Sequence, residues 1–257
     1  MSDKPLVSII TPAYNAERFI ADTIKSVLNQ TYANWEMLIA NDCSRDNTAG
    51  IVERYSANDC RIKMINAEKN SGVSAARNLA LNKAVGKYVA FIDSDDCWMP
   101  DKLEKQIAFM LSKDIVFSFT SYRLIDEKGV SLNRYVYSKP IMKYQDVIKN
   151  TLIGCLTVMI NIEKAGPLNF PLIPHTEDTM AWAEILKRGF IAYGMPEVLS
   201  LYRVSTDSMT AKKMKMAKLQ WDTYRDYCKY GVLKSTYYFC CYAVNAITKI
   251  KNTGLSI

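Results

Sequence analysis

The sequence predicts an α/β fold, a mainly parallel Rossmann-like sheet flanked by helices and followed by a helical extension. Short apolar runs of strand length alternate with amphipathic helical stretches through the first 113 residues, the pattern of βαβ units. The apolar runs end in polar loops, which is where such sheets bind ligands. The chain has 257 residues and is 49% hydrophobic, enough to bury a sizeable core in one large domain or two closely joined ones.

Leu6–Ile10 is an apolar run stopped by Thr11-Pro12, and so a buried strand. Phe19, Ile20, Ile24, Val27 and Leu28 then share one helical face, with Asn15 as the expected N-cap. Trp35–Ala40 reads as a second strand. Its polar loop, Asn41 to Asn47, leads to a short helix carrying Ile51, Val52 and Tyr55. Arg61–Asn66 is a third strand. Asn70-Ser71-Gly72 turns into a helix through Ala75, Ala76, Leu79 and Ala80, which Gly86 is expected to end. Tyr88–Ile92 is a fourth strand, halted by Asp93-Ser94-Asp95-Asp96. Pro100 opens a helix through Leu103, Ile107 and Leu111.

After Lys113 the rhythm changes. Ile115–Thr120 and Tyr122–Ile125 read as strands, and Glu127-Lys128-Gly129 as a turn into Val130–Val136. Tyr144–Leu152 is a short helix. Glu177–Arg188 is a firmer one, with Trp182, Ile185 and Leu186 on one face and Gly189 at its end; Val198–Val204 is another strand. Residues 1–113 are expected to form a nucleotide-side half, 114–210 an acceptor-side half, and 211–257 a basic, aromatic helical tail broken near Gly231.

The formal charge is +7, with much of the excess late in the chain, from Lys212 to Lys251. Such a surface attracts phosphates of nucleotides, lipids or nucleic acid without choosing among them. The seven cysteines lack CxxC or Cys/His spacing, as expected of reduced cytosolic thiols. The polar start, Met1 to Pro5, is unlike a signal peptide. No run of about 18 apolar residues exists, so no spanning helix is expected. Ser235–Ile247 is apolar but short, fit for a membrane interface or for packing on the catalytic domain. One histidine, His175, leaves the chemistry to carboxylates, hydroxyls, arginines and a metal.

The acidic cluster carries the strongest chemical signal. Asp93 and Asp95 flank Ser94 at the end of a buried strand, where alternate residues point the same way. Paired carboxylates repel each other and call for a cation; hard oxygen ligands suit Mn²⁺ or Mg²⁺ shared with substrate phosphates. The alternative is a solvated acidic loop with Asp96 capping the next helix.

Val7-Ser8-Ile9-Ile10-Thr11-Pro12-Ala13-Tyr14-Asn15 resembles the opening of the inverting family 2 glycosyltransferases of the GT-A fold. The resemblance continues in Asn41–Asp46, in Asn70–Asn78, and most clearly in Phe91-Ile92-Asp93-Ser94-Asp95-Asp96 followed by Trp98–Leu103. These blocks keep their order across residues 6–103. The resemblance implies a nucleotide-sugar pocket formed by Thr11, Pro12, Ala13, Tyr14 and Asn15, assisted by Glu17, with Tyr14 near the base and Asp42 on the uracil ring. It places Arg77 near the diphosphate or ribose and Asp93 with Ser94 at the ribose or metal. It makes Asp95 the direct metal ligand. Asp42 also fits a turn aspartate, Arg77 a surface helix arginine, and Glu17 an acid at a helix N-terminus.

Pro174-His175-Thr176-Glu177-Asp178, with Trp182 and Leu186-Lys187-Arg188-Gly189, resembles the family's Glu-Asp motif at the head of a helix. The match implies Asp178 as general base, with Glu177 and Trp182 on the acceptor side. Helix capping and core packing are the competing readings. Tyr202–Thr210 resembles the family's late Tyr-Arg loop, except that Val204 stands where many relatives have histidine; Arg203 is left to reach the diphosphate.

The whole pattern resembles bacterial enzymes that build O-antigen or capsule repeat units. That resemblance implies an inverting, metal-dependent transfer from a UDP-sugar to a polyprenyl-diphosphate-linked sugar. It implies a cytoplasmic enzyme peripheral at the inner face of the membrane, no nucleic-acid partner, and a possible homo-oligomer. A dTDP- or GDP-sugar donor, or a non-catalytic nucleotide- or saccharide-binding protein, stays open. A sugar nucleotidyltransferase would need a Gly-rich basic loop after Ile10, and a dehydrogenase G-x-G-x-x-G; neither is present.

Overall fold

The computed structural model describes residues 4–149, 152–204 and 212–252, without the side chains of 212–214 and 246–252. β1 (Val7–Ala13), β2 (Trp35–Asn41), β3 (Ile62–Asn66) and β4 (Tyr88–Phe91) are parallel, in the order β3-β2-β1-β4. Between them run α1 (Ile20–Leu28), α2 (Thr48–Asn58) and α3 (Val73–Leu81). Successive strand residues point to opposite faces, and both faces are covered. Val7, Ile9, Met37, Ile39 and Ala90 join one core with α1 and α2. Ile10, Leu38, Val89 and Phe91 join another with α3. That two-sided burial is why these strands read as continuous apolar runs.

The second half continues the same sheet as β9-β6-β10-β5. Its elements are β5 (Cys97–Trp98), α4 (Lys102–Ser112), β6 (Phe117–Ile125), β7 (Ser131–Val136), β8 (Ile141–Met142), α5 (Tyr144–Ile148), β9 (Met159–Asn161), α6 (Ile162–Ala165), α7 (Glu177–Lys187) and β10 (Ala192–Arg203). β9 runs antiparallel to both β4 and β6, while β6 and β10 are parallel. The sheet is therefore parallel in its first four strands and mixed beyond them.

Several boundaries differ from the sequence expectation. Asn15 does not cap α1: it has φ 49°, and the helix starts five residues later. Its side chain instead accepts the Arg45 N–H at 2.8 Å. Gly86 lies beyond the end of α3, where the chain passes under β1; a Cβ there would stand 2.6 Å from the Ser8 nitrogen. Ile115–Ile125 holds one strand rather than two, because Ser121 is buried and stays in the ladder. β10 begins at Ala192, and its register shifts between Met195 and Val198, around Pro196, which has no N–H to give the ladder.

The C-terminal part folds as α8 (Lys212–Asp222), a π-helical turn (Thr223–Tyr227) and α9 (Val232–Asn252), with Gly231 between the last two. It packs on the domain through buried Tyr224, whose hydroxyl donates to the Ile148 carbonyl at 2.7 Å. Among the described residues no helix is long and apolar enough to cross a membrane.

Candidate active site

The polar loops after β1, β2 and β4 converge on one edge of the sheet around a cleft of about 300 Å³. Pro12, Ala13, Tyr14, Asp42, Asp93, Ser94 and Asp95 line it, together with Asn70, Gly72, Val73 and Ala76 from the start of α3. The last four had a visible signal, the Asn-Ser-Gly turn, but its place in the cleft follows only from the fold. Gly72 supplies the turn, with φ +85°, a conformation that side chains resist. Asp42 fixes it: its carboxylate oxygens accept the Ser71 and Gly72 N–H groups at 2.9 and 2.8 Å.

Thr11, Asn15 and Glu17 do not line the cleft. Thr11 is wholly buried within β1. Asn15 and Glu17 stitch the β1 loop to the β2 loop: the Asn15 N–H donates to Ser44 Oγ, the Glu17 N–H to Asp46, and the Asn47 N–H to Glu17 Oε2 at 2.8 Å. These residues hold two binding loops in register.

Arg77 and Arg203 also have different work from that expected. Buried Arg77 spans the two halves, donating from Nη2 to Asp93 at 2.6 Å and from Nη1 to Glu177 at 3.1 Å. Buried Arg203 holds the acidic loop. Its Nε donates to the Asp95 carbonyl at 2.7 Å, its backbone N–H to Asp96 Oδ1 at 2.8 Å, and its Nη1 to the Glu127 carbonyl at 2.9 Å. Its guanidinium is consumed by these contacts, so it is a loop clamp and not a diphosphate ligand. The remainder of the Tyr-Arg loop, 205–210, lies outside the described residues. Asp96 is buried by the same clamp rather than capping α4, whose N-cap is Asp101.

The Glu177-Asp178 motif sits at the head of α7. Asp178 is half-buried, and its Oδ1 accepts the Thr179 N–H and hydroxyl. Burial first, and then the charge of Glu177, push its pKa up to about 6. Glu177 turns inward: Oε1 takes Arg77, and Oε2 is buried with no partner among the described residues. It is therefore a salt-bridge partner rather than an acceptor contact. Trp182 is fully buried, its ring 5.2 Å from Phe91, 5.5 Å from Phe170 and 5.6 Å from Phe117. With no free face it is core, not a sugar platform. His175 is exposed in the loop before α7, at φ 65°.

The acidic cluster fits a divalent cation. The Asp95 carboxylate is solvent-exposed and bonded to no other residue's side chain among the described residues, and desolvation followed by the Asp93 charge raises its pKa to about 6. Asp96 is raised well above the usual range by burial and by the same two neighbours. Two accessible carboxylates at an open cleft are the donor set Mg²⁺ or Mn²⁺ uses when substrate phosphates complete the shell.

This α/β edge, where Arg77 joins an acidic strand end to the carboxylate pair at a helix head, is that of a GT-A transferase. Residues 8–161 match Glycosyl transferase family 2, and the chain belongs to that family. It is 47% identical over 246 residues, covering 96% of this chain and 98% of the other, to TuaG of Bacillus subtilis, a glycosyltransferase assigned provisionally to teichuronic acid biosynthesis. It is 42% identical over 248 residues, covering 96% of each chain, to WfgD of Escherichia coli, a UDP-Glc:alpha-D-GlcNAc-diphosphoundecaprenol beta-1,3-glucosyltransferase. Among solved structures it is similar to the mannosyltransferase PcManGT of Pyrobaculum calidifontis in complex with GDP-Man and Mn²⁺, with TM-score 0.69 at 18% identity, covering all of this chain and 77% of that one. The fold is GT-A and the protein is a glycosyltransferase.

Proposed function

We propose that this enzyme transfers a hexose or N-acetylhexosamine from a UDP-sugar to a hydroxyl of a polyprenyl-diphosphate-linked saccharide, with inversion at the anomeric carbon. The carrying observation is the Arg77 bridge. It ties Asp93, at the donor cleft, to Glu177, the neighbour of Asp178, and so brings the two ends of the reaction to one place. WfgD, named for a UDP-Glc donor and an undecaprenol-diphosphate acceptor, supports the substrate classes.

Tyr14, Pro12 and Ala13 flank the nucleotide, and Asp42 lies at the base end of the cleft. Asp95, with Asp93, would hold Mn²⁺ or Mg²⁺, and that ion would supply Lewis-acid stabilisation of the leaving diphosphate. Asp178 takes the proton from the acceptor hydroxyl as that oxygen attacks the anomeric carbon and the UDP oxygen departs. Oδ1 is committed to Thr179, so Oδ2 is the oxygen that receives the proton. One displacement converts an α-linked donor into a β-glycoside. Residues 1–113 bind the donor, 114–210 the acceptor, and 211–257 face the inner membrane surface where a lipid-linked acceptor resides.

A UDP-release assay over a panel of UDP-, dTDP- and GDP-sugars and lipid-linked acceptors, with and without EDTA, tests this. Release from a UDP-sugar only with a lipid-linked acceptor and a metal is expected. EDTA-insensitive release, or preference for another nucleotide, would overturn it.

A further inference from the structure

The charge of this protein is concentrated at one end. Residues 211–257 contain nine Lys or Arg and two Asp or Glu, a surplus of seven. The whole chain carries +7, so the preceding 210 residues balance to zero.

Within that basic segment α9 has two unlike faces. Ser235 and Tyr238 are buried, and Tyr238 stacks on Tyr230 with ring centroids 5.4 Å apart. The Tyr230 hydroxyl in turn meets that of Tyr144 on α5 at 2.6 Å. The helix is therefore fastened to the catalytic domain and is not a trailing tether. On the other side Leu233, Tyr237 and Cys240 follow at spacings of four and three, which places them on one face. Leu233 is 89% exposed and Tyr237 55%. Lysines border this stripe: Lys234 is exposed beside it, and the Lys149 ammonium lies 5.1 Å from the Tyr237 ring.

We propose that this outer face of α9 seats the protein on an anionic lipid bilayer, with Leu233 and Tyr237 entering the interface and Lys149 and Lys234 at the headgroups. An apolar, aromatic stripe bordered by lysines is what such an interface selects. Charge argues against a second copy of the chain as the occupant, because pairing through this face would bring together two stripes each bordered by Lys149 and Lys234 with no carboxylate on the stripe itself. Rigid fastening adds a consequence: docking fixes the orientation of the active-site cleft above the lipid, and does not merely raise the enzyme's local concentration. The seat rests on the reading that residues 211–257 face the membrane, but it requires no particular donor or acceptor, so its failure and that of the proposed reaction are distinguishable.

The test is flotation of the full chain with phosphatidylcholine vesicles, with or without phosphatidylglycerol. Leu233→Glu, Leu233→Glu with Tyr237→Glu, and Val85→Glu are compared. Val85→Glu makes the same chemical change at a residue 74% exposed in the first half. The expected result is flotation of the native protein only with phosphatidylglycerol, lost by about tenfold or more in the double variant, because two apolar anchors are replaced by carboxylates that anionic headgroups repel. Leu233→Glu falls between, and Val85→Glu matches the native protein. Thermal midpoint and UDP affinity, read on the same samples, stay unchanged. Equal flotation of native and double-variant protein would overturn the seat. So would a native protein that ignores phosphatidylglycerol, or a native dimer that the double variant splits into monomers.

Discussion

Replacing Asp178 by Asn isolates the proton-transfer step from folding and from donor binding. Asn keeps an oxygen at Oδ1, so the contacts from the Thr179 N–H and hydroxyl survive. The donor cleft has no wall from residue 178, so UDP affinity is expected to hold. What is lost is an oxygen able to take a proton. General-base catalysis is worth about 10²–10⁴-fold, or about 3–5 kcal/mol of barrier at about 1.4 kcal/mol per decade. The pH profile gives the second arm. With the Asp178 pKa near 6, about a tenth is ionised at pH 5 and about nine-tenths at pH 7, and only the ionised form is the base. Turnover therefore rises with pH through about 6 and then levels. Neutralising the neighbour in Glu177→Gln removes a charge that raises this pKa, so the limb moves to lower pH. Steady-state UDP release from pH 5 to 8, with UDP titration calorimetry alongside, reads all three quantities. Normal turnover in Asp178→Asn, or a flat native profile, would remove Asp178 from the role.

Chelation with EDTA is expected to stop turnover, with Mn²⁺ or Mg²⁺ restoring it, and Asp95→Asn should raise the metal concentration needed for half-maximal rate. Arg77→Leu leaves Asp93 and Glu177 without their shared cation, and breaking a buried pair this way costs about 3–5 kcal/mol, measurable as a lower urea midpoint. Trp182→Ala should cost a similar amount by opening a cavity, whereas Trp182→Phe should leave the acceptor KM unchanged if the residue is core. Gly86→Ala is expected to lower the melting temperature, because the new Cβ meets the Ser8 backbone nitrogen.

What the sequence reveals follows a physical division. The four parallel strands were legible because each is buried on both faces and ends in a loop of distinctive chemistry. The placement of Asp93 and Asp95 at a strand end and of Asp178 at a helix head was legible because these are local features. Arg77 and Arg203 were not, because their partners are far away: Glu177 is 100 residues from Arg77, and Asp95 is 108 from Arg203. An arginine's need for a counter-charge is visible in a sequence, but the identity of the counter-charge is a property of the fold. Trp182 fails for a related reason. α7 is covered on nearly every side, with Thr179 through Ala183 all buried, so its apolar spacing cannot separate a core ring from a ligand platform. The second-half strands were blurred because a bulge at Pro196 and the three-residue β9 carry no clean period.

Charge balance around the cleft explains why the two misread arginines matter to the reaction. Asp93, Asp95, Asp96, Glu177 and Asp178 meet here, and Arg77 and Arg203 are the guanidiniums that reach them. Arg77 is divided between Asp93 and Glu177, and Arg203 holds Asp96 through a backbone N–H and Asp95 through its carbonyl. Neither donates a hydrogen bond to the Asp95 carboxylate, and desolvation and the Asp93 charge raise its pKa to about 6 although the Arg203 charge works the other way. A donor diphosphate brought to such an edge alone would be repelled. The same edge carrying a divalent cation attracts it, and the geometry needs no change because both arginines already hold the loops in place. The arginines thus hold the acidic loop in place without bonding to the Asp95 carboxylate, and on the proposed reaction that carboxylate is where metal and diphosphate would become mutually dependent.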